Sequence, residues 1–233
     1  MLFNLLQTDI AEAAATAVQT QQMSYSLLDM AVKGGWLMLV LLLLSILAIF
    51  IFGKKLWMIS QASKIDKDFL MDIRDYLHDG KIKSAMTLCS KYDAPVARMV
   101  EAGIARYGKP LADVQTAVEN VGNVEVARLE KGLPYLATIA GGAPMIGFLG
   151  TVMGMVRAFF DMANAGNNID ISLLSGGIYT AMITTVGGLI VGILAYFGYN
   201  FLTAKVSNLV YSMENATIKF MDMLSEPKDG AEE

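Results

Sequence analysis

Of the threonines inside long apolar blocks of the sequence, four are candidates for a part in ion transfer: Thr151, Thr180, Thr184 and Thr185. A threonine hydroxyl can both donate and accept a hydrogen bond, so it can order water or solvate a carboxylate without carrying a charge. The competing interpretation is structural, because membrane threonines commonly bond back to the preceding helical turn or bridge neighbouring helices. From the residues alone both interpretations stay open.

The apolar blocks around these threonines contain no ionisable side chain. Asp, Glu, Lys, Arg and His are all absent from residues 34–53, 132–156 and 171–204. Ionisable groups inside a membrane usually mark proton relays and ion pathways. This chain therefore either moves no protons, or depends on a partner chain that supplies the carboxylate.

Other chemistry is poorly represented in the sequence. Cys89 and His78 are the single cysteine and the single histidine, which argues against a disulfide framework and against a Cys/His metal site. We find no nucleophile–base pair and no phosphate-binding loop, so we expect neither an enzyme nor a bound cofactor. The net charge of −4 does not suggest a nucleic-acid partner.

The apolar blocks themselves predict the fold class. The chain is 55% hydrophobic and 17% charged, with a mean hydropathy of +0.47. A bilayer core of about 30 Å requires about 20 helical residues, and each block is at least that long. We therefore predict an all-α integral membrane protein with three transmembrane helices. The third block is longer than the bilayer requires and should project from it as a helical extension.

The distribution of Lys and Arg predicts the topology. Of 18 such residues, 13 lie between Lys54 and Lys131, and basic segments stay in the cytoplasm. The expected organisation is a periplasmic N-terminal segment (1–33), a first span (34–53), a cytoplasmic helical domain (54–131), a second span (132–156), a periplasmic link (157–170), a third span with its extension (171–204), and a cytoplasmic C-terminal helix and tail (205–233).

Helix boundaries in the cytoplasmic domain follow from its turn residues. The pair Asp79–Gly80 ends one predicted helix, Pro95 begins another and Gly108 ends it. A further helix begins at Pro110, and we find no stop signal before Gly141. We therefore predict that the second span is the upper half of one long helix that begins in the cytoplasm.

Small residues recur on one face of the second and third spans. The helix-packing candidates among them are Gly147, Gly150, Gly154, Gly188 and Gly192. Gly150–Gly154 and Gly188–Gly192 are both GxxxG pairs. Small residues let helix backbones approach closely in lipid, so matching stripes on adjacent spans predict tight helix packing or oligomerisation.

The same stretches carry a resemblance to a known family. The sequence Gly147-Phe-Leu-Gly-Thr-Val-Met-Gly-Met155, the run from Gly177 to Leu189 and the pair Tyr199–Asn200 are similar to the MotA/TolQ/ExbB proton-channel family. The resemblance covers both later spans. Three spans and a length of 233 residues are typical of the ExbB and TolQ types, whereas the MotA type usually has four spans.

The resemblance implies an assembly and a function. Family members form a ring of five chains around two copies of a single-span partner of the ExbD or TolR type, which brings one membrane aspartate. Proton flow past that aspartate drives a motion that is passed to a TonB- or TolA-type protein. By resemblance, Thr151 and Thr185 match the pore threonines, and Asn200 matches a polar residue near the cytoplasmic end. Thr180 departs from the family, which often has glutamate there.

Three functions remain open at this point. An ExbB-type subunit of an inner-membrane motor is the leading interpretation. A TolQ-type subunit that serves outer-membrane integrity is the closest alternative. A membrane scaffold that holds partner helices without conducting ions is the third.

Overall fold

The computed structural model describes residues 35–66, 68–164 and 171–225, with side chains described from residue 174 onward in the last range. Throughout these ranges the chain is helical, and they contain no strand. The helices are α1 (Gly35–Ala62), α2 (Phe69–His78), α3 (Ile82–Lys91), α4 (Pro95–Ile104), α5 (Leu111–Glu130), α6 (Leu133–Asn164) and α7 (Ile171–Ser225). The predicted N-terminal segment, the end of the predicted periplasmic link and the end of the tail lie outside the described residues.

Three helical stretches are long and apolar enough to cross a membrane, which confirms the predicted fold class. They lie in α1, in Leu111–Asn164 and in α7. The exposed side of α1 is itself apolar, and Leu39, Ile46 and Phe50 are each more than half exposed. A helix that presents apolar side chains to its surroundings is suited to lipid or to another chain.

The two later spans form the centre of the membrane part. The contact between α6 and α7 is the most extensive in the chain, and α1 packs against both helices. The helix α7 continues from the membrane part to Ser225, as the sequence predicts. Its second half contacts α5, α4 and α2, so one helix joins the two parts of the protein.

The helices α2 to α5 form a helical domain around the second half of α7. Phe69, Ile73, Val118 and Phe220 are fully buried in its core. Gly80 directly follows the C-cap of α2 in the left-handed region, with φ of +69°. The other predicted stop glycine, Gly108, also has a positive φ, of +86°, but α4 ends four residues earlier, at Ile104. Glycine adopts this conformation without the steric cost that a Cβ adds.

The prediction of one continuous helix from Pro110 into the second span is wrong. Two residues, Lys131 and Gly132, separate α5 from α6, and Gly132 has a φ of +100°. The ammonium group of Lys55 donates hydrogen bonds to the carbonyls of Arg128 and Leu129, at 3.2 and 2.9 Å. These carbonyls belong to the last turn of α5, where no further helical N–H groups can reach them. We call this break the α5–α6 elbow.

An ion-pair network joins α4 to α5 inside the helical domain. The Arg98 guanidinium donates to both carboxylate oxygens of Glu125, at 2.8 and 2.7 Å, and also to Asp93. The Glu125 side chain is only 8% exposed. The hydrogen bonds that the Arg98 guanidinium donates to Glu125 are the main reason that its pKa is raised. Bidentate pairing of this kind compensates a buried carboxylate for its lost hydration.

Candidate functional site

The close approach of α6 and α7 depends on glycines at its centre. A Cβ added at Gly188 would lie 2.6 Å from the carbonyl oxygen of Ala143, and one at Gly147 would lie 3.0 Å from that of Thr184. Both obstructing atoms are backbone atoms, which cannot rotate away. Residues larger than glycine would therefore force the two helices apart.

The other glycines of the two stripes lie along the same contact. A Cβ at Gly154 would lie 2.7 Å from the Cβ of Ala181, and one at Gly192 would lie 2.5 Å from the Pro144 ring. A Cβ at Gly150 would overlap the hydroxyl of Thr184. The five predicted packing glycines thus meet the opposite helix of the same chain.

Among the four threonines, Thr185 bridges the two helices. Its hydroxyl donates to the carbonyl of Gly147 at 2.8 Å, and its side chain is partly exposed. The Gly147 carbonyl is reachable because neither Gly147 nor Gly188 carries a side chain between the helices. This hydrogen bond fixes the register of α6 against α7 at the level of Thr185.

Two other threonines bond within their own helices. The Thr151 hydroxyl donates to the carbonyl of Phe148 at 2.6 Å, and the Thr184 hydroxyl donates to that of Ala181 at 2.7 Å. Thr184 is buried, whereas Thr151 and Thr180 are partly exposed. Thr151 follows Gly147 by one helical turn, so the hydroxyls of Thr151 and Thr185 both lie close to the Gly147 level.

Two polar side chains near the end of the third span, Asn200 and Thr203, form no hydrogen bond to α6 among the described residues. The exposed Asn200 amide donates to the carbonyl of Tyr196 at 2.9 Å, within α7. The neighbouring Thr203 hydroxyl is buried and has no hydrogen-bond partner among the described residues. The sequence analysis did not single out Thr203, because a threonine at a span end carries no distinguishing pattern.

Chemically, the membrane-spanning parts of α6 and α7 offer hydroxyls and backbone carbonyls but no carboxylate, amine or imidazole. No group of metal-ligating side chains occurs among the described residues. Such a surface can orient water or solvate a carboxylate that another chain brings. It cannot by itself take up and release a proton.

Polar anchors outside the spans could not be identified from the sequence. The hydrogen bonds of Lys55 to the end of α5 depend on how α1 packs in three dimensions. The same holds for Arg98 and Glu125, which lie 27 residues apart in the sequence. The one signal in the sequence for this ion pair was the position of Glu125, which lies in the apolar stripe of α5 between Gly122 and Leu129.

Comparison with known proteins relates helices α4 to α7 to a protein family. The sequence profile of the MotA/TolQ/ExbB proton channel family matches residues 91–215. A biopolymer transport protein from Synechocystis, named ExbB-like 1, is 30% identical to this chain. The match covers 78% of this chain and 72% of the relative's length. An ExbB homologue from Methanothermobacter thermautotrophicus is 30% identical over 61% of this chain, and that match spans half of the relative's length.

A Tol-Pal system protein TolQ from Haemophilus influenzae is 34% identical over 44% of this chain and 44% of its own length. The profile match covers more than half of the chain, including the bridging threonine and all five packing glycines. This membrane protein therefore belongs to the MotA/TolQ/ExbB proton channel family.

Proposed function

We propose that the chain is a ring-forming subunit of a motor of the ExbB type, driven by the proton motive force. With a single-span partner of the ExbD type, it energises a TonB-type protein for transport across the outer membrane. The observation that carries this proposal is that the membrane-spanning parts of α6 and α7, residues 133–156 and 174–204, present hydroxyls but contain no Asp, Glu, Lys, Arg or His. Such a pair can line a proton path only if a second chain brings the titrating carboxylate.

The proposed location is the bacterial inner membrane, with the N-terminus in the periplasm and the helical domain in the cytoplasm. The concentration of basic residues between Lys54 and Lys131 supports this orientation. The exposed apolar surfaces of α1, α6 and α7 support assembly, because several such chains can cover one another's surfaces around a central pore.

Proton flux into vesicles tests the path. The complex of this chain with its single-span partner is reconstituted, and the flux of wild type is compared with that of Thr185→Val and Thr151→Val. Valine has nearly the same shape as threonine but no hydroxyl. We expect each flux to fall by about five- to tenfold, since one hydrogen bond is worth about 1 kcal/mol.

The matched control is Thr138→Val. The Thr138 hydroxyl lies on α6 as well and donates to the carbonyl of Pro134 at 2.8 Å, away from the packing glycines. This variant should conduct as wild type does. Wild-type flux in both Thr151→Val and Thr185→Val, with complexes of unchanged mass, would remove the hydroxyls from the path. The absence of any flux in the wild-type complex would favour the scaffold.

A TolQ-type role is the second candidate, favoured by the TolQ relative from Haemophilus influenzae. The native mass of the co-expressed complex addresses both candidates. Five copies of this chain with two copies of a single-span partner would support the motor. Identifying that partner as the ExbD or the TolR type, and the recipient as the TonB or the TolA type, would then distinguish the two roles.

A further inference from the structure

An apolar groove lies between α1 and α7 at the end of the membrane part that faces the helical domain. It has a volume of about 420 Å³. Among the residues that line it are Ser45, Ile49 and Phe52 of α1, and Leu194, Phe197 and Phe201 of α7. Ser45 is the one polar side chain in the lining. We refer to this feature as the α1–α7 groove.

The length of the groove corresponds to one leaflet of a bilayer. Its lining on α7 runs from Val191 to Phe201, which is about 15 Å at 1.5 Å per residue. Half of a hydrocarbon core of about 30 Å is the same distance. An acyl chain that follows the groove would thus reach from the membrane surface to the bilayer centre.

A lysine lies at the end of the groove at the membrane surface. The Lys205 ammonium lies 5.6 Å from the centroid of the Phe201 ring, which lines the groove. Within the described ranges Lys205 has no salt bridge, and the segments 52–60 and 201–209 contain no carboxylate.

We propose that the α1–α7 groove binds one anionic phospholipid. Its acyl chain lies along Ile49, Leu194 and Phe197, and its phosphate lies beside Lys205. Basic pockets between transmembrane helices are known to hold anionic head groups, and lysine stems reach such groups by extending along apolar surface.

Charge complementarity favours this occupant over a helix from a second copy of the chain. The spans of a second copy contain no Asp or Glu, so they would cover the groove and leave Lys205 unpaired. A phosphodiester brings the negative charge and the acyl chain in one molecule. This inference uses the groove alone, and it holds or fails independently of the proposed motor.

Native mass spectrometry of the full chain, purified in mild detergent, tests the proposal. The probes are palmitoyl-oleoyl phosphatidylglycerol and palmitoyl-oleoyl phosphatidylcholine, which share their acyl chains. We expect phosphatidylglycerol to be retained about fivefold better, the effect of one lysine worth about 1 kcal/mol at an anionic head group. Lys205→Gln should bring the two lipids close to parity, and Ser45→Phe should lower retention of both by filling the groove.

Two matched variants control for position. Lys219→Gln removes an exposed lysine further along α7, and Leu47→Phe adds an aromatic ring to a more exposed position of α1 that does not line the groove. Both should retain lipid as wild type does. Equal retention of the two lipids by wild type would overturn the proposal, as would a preference that survives Lys205→Gln. Efficient disulfide crosslinking between copies through Phe197→Cys, in membranes of a Cys89→Ser background, would assign the groove to a second copy instead.

Discussion

Replacing Gly188 with alanine tests whether the α6–α7 contact depends on bare backbone. The new Cβ would lie 2.6 Å from the Ala143 carbonyl oxygen and 2.9 Å from the Gly147 Cα. An ordinary contact begins near 3.4 Å, so the two helices must separate locally by roughly 0.8 Å. Because both obstructing atoms belong to the backbone of α6, no side-chain rotation can relieve the overlap.

The expected destabilisation combines three effects. Overpacking of a well-packed contact costs about 1–3 kcal/mol. Separation also lengthens the 2.8 Å hydrogen bond from Thr185 to Gly147, and such bonds in membranes are worth about 0.6 kcal/mol. Alanine regains up to about 1 kcal/mol as the better helix former. The net loss in free energy of unfolding should therefore be about 1–2.5 kcal/mol.

Titration with sodium dodecyl sulfate, followed by circular dichroism of the detergent-solubilised chain, measures this loss. Gly176→Ala is the matched control, because Gly176 lies on the same helix and a Cβ there would meet nothing within 4 Å. The control should be as stable as wild type or slightly more stable. If Gly188→Ala unfolds at the same detergent fraction as Gly176→Ala, the argument from backbone contact is wrong.

Two further predictions concern the helical domain. Burial raises the pKa of the Cys89 thiol from 9.0 to about 12, so at pH 8 maleimide should label the folded chain about a thousandfold more slowly than the unfolded chain. Rapid labelling of the folded chain would contradict this burial. Because the pKa of the thiol is higher in the folded state than in the unfolded state, its contribution to stability is full below pH 9 and is lost as the pH rises toward 12. Glu125→Ala should lower the free energy of unfolding by about 2–3 kcal/mol, because it leaves the partly buried Arg98 without its bidentate partner. The double variant Arg98→Met/Glu125→Leu should recover most of that loss in thermal unfolding, and a double variant as unstable as Glu125→Ala would refute the explanation.

Local signals in the sequence were sufficient for most of the helix boundaries. Gly80 ends α2 with a positive φ, and Pro95 begins α4, as their conformational preferences predict, whereas α4 ends four residues before Gly108. The continuation of α7 beyond the third span followed from its uninterrupted helical pattern. These features depend on residues close in sequence, so no knowledge of the packing was needed.

The α5–α6 elbow was missed for a different reason. Gly132 and Pro134 resemble the glycine and proline that surround other helix ends, but the apolar pattern on either side obscured the break. What holds the elbow is Lys55, more than 70 residues earlier in the chain. A contact of that separation cannot be read from local patterns.

For the candidate site, the resemblance to the MotA/TolQ/ExbB family was confirmed, and it selected Thr151 and Thr185 from several hydroxyls. The resemblance could not show which carbonyl accepts the hydrogen bond of each hydroxyl. Thr185 bridges to α6 whereas Thr151 bonds within its helix, because the rotation of each helix about its axis decides which carbonyl a hydroxyl meets. That rotation is set by the glycine contacts along the whole interface.

The unbroken course of α7 has a mechanical consequence. The helix is about 80 Å long at 1.5 Å per residue and contains no proline, so it is the stiff member of the structure. Another connection between the membrane part and the helical domain runs through α6 and α5, and it is interrupted at Gly132. A torque applied to the membrane part would therefore be transmitted directly to the helical domain by α7. In the connection through α6 and α5, the hydrogen bonds of the single side chain of Lys55 to the end of α5 would limit bending at the elbow.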